Sequence, residues 1–154
     1  MKKSNVLHWV FIIILLSITA CSHDPQPIKY GEDACDFCRM TIVDNQHAAQ
    51  IVTVKGRNYK YDAIECMIND LSNWERPPVK IQLVADYSRP GILTDAKSAN
   101  YLISKKIPSP MGANLSAFSQ EKNRNEIHQS AGGQKLNWEE LILTLSKQHT
   151  HNHH

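Results

Sequence analysis

Six consecutive residues, Cys35-Asp36-Phe37-Cys38-Arg39-Met40, bring together two thiols and a thioether, the softest donors that side chains offer. Cys35 and Cys38 are three residues apart, which lets one tight turn aim both sulfurs at a common centre. Cys38 and Met40 are two apart, and in extended backbone residues i and i+2 point to the same face. Soft thiolate and thioether ligands select Cu(I), while zinc does not favour methionine sulfur. Two plainer assignments compete. Met40 would serve equally as the first core residue of a strand, and Cys35 with Cys38 as a redox pair or local disulfide.

Further candidates lie along the chain. Met111 sits in Pro108-Ser109-Pro110-Met111-Gly112, where prolines restrict the backbone and Gly112 permits a sharp turn. No regular element there supplies a buried face, so Met111 is either a thioether ligand delivered from the second half or a packing residue over a satellite cluster. His47, nine residues after Cys38, opens a hairpin that would carry it back beside Met40, as a nitrogen donor or a group behind the ligands. Cys66 falls on a helix, off the centre of its apolar face, and reads as a small buried hydrophobe. Asp62 reads as a helix cap with no chemistry of its own. The tail Gln148-His149-Thr150-His151-Asn152-His153-His154 is rich in imidazoles that bind copper, nickel or zinc loosely.

The elements that must position these groups follow from pattern. Met40 to Val43 is a short β-prone run. Residues 48–61 read as a β-hairpin turning at Lys55-Gly56-Arg57-Asn58. Asp62 with Glu65 three residues on forms a capping box for a helix whose Ile64, Met67, Ile68 and Leu71 share one face. Val79, Ile81, Leu83 and Ala85 alternate with other residues as a strand with one buried face. The second half turns at Ser88-Arg89-Pro90-Gly91, then holds a strand at 99–103 and an extended piece at 115–118. A polar helix capped by Ser119 follows and stops at Gly132-Gly133, before an amphipathic helix from Trp138 to Leu145. The order β-β-α-β, repeated faintly, predicts an α+β fold of two small related units.

The N-terminus belongs to export. Lys2 and Lys3 precede an apolar run from Val10 to Leu16, too short to span a membrane as a helix. Ile18-Thr19-Ala20-Cys21 resembles a bacterial lipobox, which would make Cys21 the acylated residue; an ordinary signal peptide cut nearby and an uncleaved anchor are the plainer alternatives. Residues 1–20 hold two lysines and no acid, so the formal net charge of +2 falls to zero in the processed chain. A neutral chain has no basic footprint for nucleic acid. Of four cysteines, one goes to lipid and three remain, an odd number for a disulfide framework. No Walker loop, G-x-S-x-G, H-E-x-x-H or dinucleotide fingerprint is present, so no enzyme template is matched.

Taken together, Cys35-x-x-Cys38-x-Met40-Thr41-Ile42, His47-Ala48-Ala49-Gln50-Ile51, Tyr61-Asp62-Ala63-Ile64-Glu65-Cys66-Met67, Pro110-Met111-Gly112 with Ala117-Phe118, and Gly132-Gly133 resemble the NosL family. These are lipoprotein accessory proteins of nitrous oxide reductase. The resemblance implies a periplasm-facing copper chaperone that binds one Cu(I). With an ABC-transporter-type membrane complex, it would pass the metal to the reductase. It implies a metal-binding role for Cys38, Met40, Met111, Cys35 and His47. The implied layout is a signal peptide at 1–20, an acylated Cys21 with a flexible tether to residue 34, and a folded domain at 35–147. That domain divides into units at 35–87 and 88–147, before the His-rich tail at 148–154. The competing function is a thiol–disulfide reductase acting through Cys35 and Cys38; a metal-free lipoprotein adaptor is a third.

Overall fold

A computed structural model describes residues 23–151, with side chains as far as Ser146. The expected export segment and the expected acylation site at Cys21 lie outside the described residues, as does the end of the His-rich tail. Among the described residues, seven strands and three helices follow one another as β1 (Ala49–Thr53), β2 (Asn58–Tyr61), α1 (Ile64–Ser72), β3 (Val79–Ala85), β4 (Leu93–Asp95), β5 (Asn100–Ile103), β6 (Leu115–Phe118), α2 (Glu121–Ala131), β7 (Gln134–Leu136) and α3 (Trp138–His151). The strands form two antiparallel sheets, ordered β2-β1-β3-β4 and β6-β5-β7. The expected α+β architecture is therefore present twice, as β1-β2-α1-β3 and β5-β6-α2-β7.

Strand β1 is central in its sheet, flanked by β2 and β3, and all five of its residues are buried. The hairpin reverses through Gly56 at φ 78, a left-handed backbone that glycine adopts without a Cβ clash. Strand β4 comes from beyond residue 88 but pairs with β3, through Leu83↔Asp95 to Ala85↔Leu93. One continuous core runs between the halves, including Ile51, Tyr61, Met67, Val84, Tyr101, Leu115 and Leu141. The sheets meet where Asp86 bridges Ala117 and the Tyr87 N–H donates to the Ala117 carbonyl at 2.8 Å.

Several local expectations give way to tertiary contacts. The run from Met40 to Val43 is no strand: it makes one bridge, Thr41 to Ala34, in a narrow ribbon with residues 31–35. On β3 the alternation is diluted. Val79, Ile81 and Leu83 are only half-buried, while Val84 and Ala85 are fully buried because the strand's end runs into the seam between sheets.

Neither predicted helix cap forms. The N-cap of α1 is Ala63 and that of α2 is Gln120, both without a side-chain bond. Asp62 takes the Val43 N–H, Glu65 reaches the 109–113 loop, and the Ser119 hydroxyl donates to Asp86 at 2.6 Å. Each polar group that would have satisfied a helix end has a partner distant in sequence instead. The C-terminal stop of α2 does hold, with Gly132 and Gly133 both at positive φ. Helix α3 runs past Leu145 to His151, burying Leu141 and Leu145.

The segment before the cysteines is docked. The Gln26 N–H donates to the Asn58 side chain at 2.9 Å, Lys60 Nζ donates to the Pro27 carbonyl, and Ile28 and Tyr30 pack on the core. Among the described residues, no helix is long and apolar enough to cross a membrane.

Candidate metal centre

The cysteine turn is a hairpin tip. The Cys35 N–H donates to the Met40 carbonyl at 2.8 Å and the Arg39 N–H to the Cys35 carbonyl at 3.0 Å. Arg39 takes φ 67, a left-handed conformation unusual for a residue with a Cβ. The backbone between Cys38 and Met40 is thus curled, and the extended geometry expected to align their side chains is absent. The tip is fixed to β2 by an exchange of hydrogen bonds at 2.8 Å: the Asp36 N–H to the Lys60 carbonyl, and the Lys60 N–H to Asp36 Oδ2. Lys60 also ion-pairs with Asp33 at 2.6 Å.

From Lys60 the chain passes through Tyr61 and Asp62 into α1, which delivers Cys66. The sulfurs of Cys35, Cys38 and Cys66 all lie within 4.8 Å of one another. Cys35 and Cys66 are fully buried and Cys38 is half-buried, so the cluster has a closed floor and one open edge. The far end of α1 is pinned where the Tyr61 hydroxyl donates to Asp70 at 2.7 Å and Arg76 pairs with the same carboxylate at 2.6 Å.

The three thiols differ in acidity. The Cys66 S–H donates to the Cys35 sulfur. Although burial opposes it, that bond and the N–H groups of Asp62, Cys38 and Phe37 pull the Cys35 thiol down to about 5. Donating to Cys35, and burial, push Cys66 far up. Burial raises Cys38, against a stabilising N–H from Met40. The turn therefore presents one ready thiolate, Cys35, among two thiols that hold their protons until something stronger displaces them. Burial, helped by the negative charges of Cys35, Asp44 and Glu65, also raises the Asp62 carboxyl.

Cys66, expected as a small packing residue, instead completes the thiol cluster. The signal available was the odd count of three thiols after Cys21 is set aside. Met40 and Met111 are exposed at 55% and 40%, unusual for methionine. Met111 lies in a loop fastened to α1 by Glu65, whose Oε1 accepts the Ser109 hydroxyl and the Ala113 N–H. His47 stands elsewhere, buried in the seam between sheets. Its Nδ1 bonds Asp44 Oδ2 at 2.8 Å and its Nε2 the Ser116 hydroxyl at 3.2 Å.

A model of the NosL family matches residues 27–145. The chain belongs to the NosL family. Among its relatives, the copper-binding lipoprotein NosL of Stutzerimonas stutzeri is 24% identical over 153 residues, spanning 87% of this chain and 78% of that one. The crystal structure of the copper chaperone NosL from Shewanella denitrificans matches with a TM-score of 0.66 at 18% identity, over 77% of this chain and 96% of that one. The latter likeness establishes a shared NosL fold, with its two small sheets and three helices.

Proposed function

We propose that this NosL family member is a copper carrier, anchored by lipid at Cys21 and facing the periplasm, that binds Cu(I) and delivers it for assembly of the copper centres of nitrous oxide reductase. The observation that carries this reading is the convergence of three cysteine sulfurs within 4.8 Å, two buried and one at an open edge. Thiolates suit soft and borderline metals, Cu(I) and zinc among them, and thioether donors beside them favour Cu(I) over zinc. Two exposed thioethers, Met40 and Met111, one on each side of the chain's midpoint, would extend the soft donor set outward on this reading. Both relatives above carry copper in their names.

The arrangement suits transfer. Cys38 is the thiol at the open edge, so it can be reached by an incoming ligand while Cys35 and Cys66 remain covered. Cu(I) would then leave by stepwise exchange, with Cys38, Met40 and Met111 as the outer donors and an ABC-transporter-type membrane complex as the next holder. Both ring nitrogens of His47 are engaged, so joining the ligands would cost it at least one of these hydrogen bonds, and we assign it to bracing the seam. Lipid tethering raises the local concentration near membrane partners with no new contact.

The competing reductase needs an accessible thiol with a depressed pKa as its attacking group. Here the depressed thiol, Cys35, is buried, and the accessible one, Cys38, is raised. Anaerobic titration against a chromogenic Cu(I) chelator tests the carrier. One Cu(I) per chain is expected, and the combination of Cys38→Ser with Met40→Ala should weaken binding severely. Unchanged affinity and stoichiometry in that variant would refute the site.

A further inference from the structure

The loop that carries Met111 is closed on itself in two places. At its base the Ser104 N–H donates to the Asn114 carbonyl at 2.9 Å. At its tip the Gly112 N–H donates to the Ser109 carbonyl at 3.0 Å, enclosing Pro110 and Met111 in one turn. Gly112 at φ 82 and Asn114 at φ 57 set the curvature. The two feet of that turn, Ser109 and Ala113, converge on one atom. Glu65 Oε1 accepts both the Ser109 hydroxyl and the Ala113 N–H, the latter at 3.3 Å. Glu65 is buried, Ser109 is buried, and the Ser109 oxygen in turn accepts the Leu115 N–H at the start of β6 at 3.4 Å.

We infer that Glu65 is a positioning residue of the metal centre: its carboxylate clamps the Met111 turn to the helix turn that presents Cys66. The inference rests on the reading of Met111 as a copper donor. Its physical basis is the location of the clamp. Glu65 and Cys66 are adjacent on the first turn of α1, so any shift of that turn moves the thiol and the Met111 loop together. A buried carboxylate is costly unless its hydrogen bonds repay desolvation. This one leaves the helix N-terminus, where it would cap N–H groups, and commits Oε1 to groups 44 and 48 residues away while Oε2 stays buried without a hydrogen-bond partner. The thiol turn and α1 come from the first half and the Met111 turn from the second, so the clamp holds donors from both halves in one register. A thioether on an unclamped surface turn would meet the metal only part of the time, and affinity falls in proportion to the competent fraction.

The test is a comparison of Cu(I) affinities, by anaerobic chelator competition on the full chain, for Ser109→Ala, Glu65→Gln, Met111→Ala and the combination of Ser109→Ala with Met111→Ala. Glu65→Gln keeps the side-chain volume and an acceptor, and so guards against simple misfolding. Ser109→Ala is expected to weaken binding about tenfold, the order of one charge-assisted hydrogen bond. Glu65→Gln should do so by less. Copper X-ray absorption on Ser109→Ala should report a smaller sulfur contribution. In the Met111→Ala background, Ser109→Ala should change affinity no further, whereas a merely structural role would lower it equally in both backgrounds. If Met111→Ala weakens binding while Ser109→Ala and Glu65→Gln leave it intact, the clamp is refuted and the Met111 reading stands. If Met111→Ala itself leaves affinity intact, the donor reading fails and the clamp falls with it.

Discussion

Replacing Cys66 by serine tests the buried half of the centre. The side chain is fully buried and its S–H donates to the Cys35 sulfur. A hydroxyl of similar shape keeps a donor there, so the metal-free protein should lose only about 1 kcal/mol, the scale of one altered hydrogen bond. Binding is another matter, because a neutral hydroxyl is a hard donor and one of three converging sulfurs is gone. Removing even an outer partner of a metal ligand costs roughly 10–100-fold in affinity, and a direct donor belongs at the upper end or beyond. With free Cu(I) held at about 100 times the wild-type Kd, binding stabilises the native state by about 2.7 kcal/mol. A hundredfold weaker Kd leaves RT ln 2, about 0.4 kcal/mol. At roughly 4 °C per kcal/mol for a domain of this size, the copper-induced rise in Tm should shrink from about 11 °C to about 2 °C. Anaerobic calorimetry in a Cu(I)-buffering chelator reads both states. A serine variant that keeps the full copper-induced rise would show that Cys66 is no donor. A large loss in the metal-free state would make it a packing thiol instead.

Other outcomes follow from the same geometry. Because Cys35 is held near 5 while Cys38 and Cys66 are raised, Cu(I) bound by all three sulfurs at pH 7 should release about two protons, against about one if Cys38 is the only cysteine thiol recruited. Titration in weak buffer counts them, and affinity should rise with pH until the raised thiols ionise. Asp86 is buried where the sheets meet. Burial pushes its carboxyl up, but the Ser119 hydroxyl, Arg89 and the Ser88 N–H outweigh that and hold it below the usual 3.8. Its contribution is therefore complete above the unfolded value and lost as pH falls through the lower folded one. Asp86→Asn should cost about 2 kcal/mol at pH 7, and urea unfolding should show the gap closing below pH 4. Gly133→Ala should destabilise by about 3 kcal/mol in the same assay, since a Cβ there would lie 2.2 Å from the Ile103 carbonyl oxygen at φ 108.

Local chemistry was readable from order alone. The β1–β2 hairpin, the apolar face of α1 and the glycine stop of α2 depend on residues within a few positions of one another, and each stands as expected. Strand β4 is additional to the expected units, and the position of β7 was not legible, because three residues are too few for an alternation to register. The capping box failed for a different reason. Asp62 and Glu65 have the chemistry of caps, but burial against the thiol turn and the Met111 loop offered them other donors.

Residue order alone supplies the donor inventory: soft sulfurs at 35, 38, 40 and 111, an odd thiol at 66, and the punctuation that makes the turns around them. Which sulfurs meet was decided only by tertiary structure. Cys66 reaches Cys35 and Cys38 because β2 anchors the cysteine turn on one side and leads directly into α1 on the other. His47 is occupied by Asp44 and Ser116 because packing the second sheet against the first brings Ser116 to it from 69 residues away. Proximity across such distances is set by how the two sheets share a core, and no local spacing encodes it.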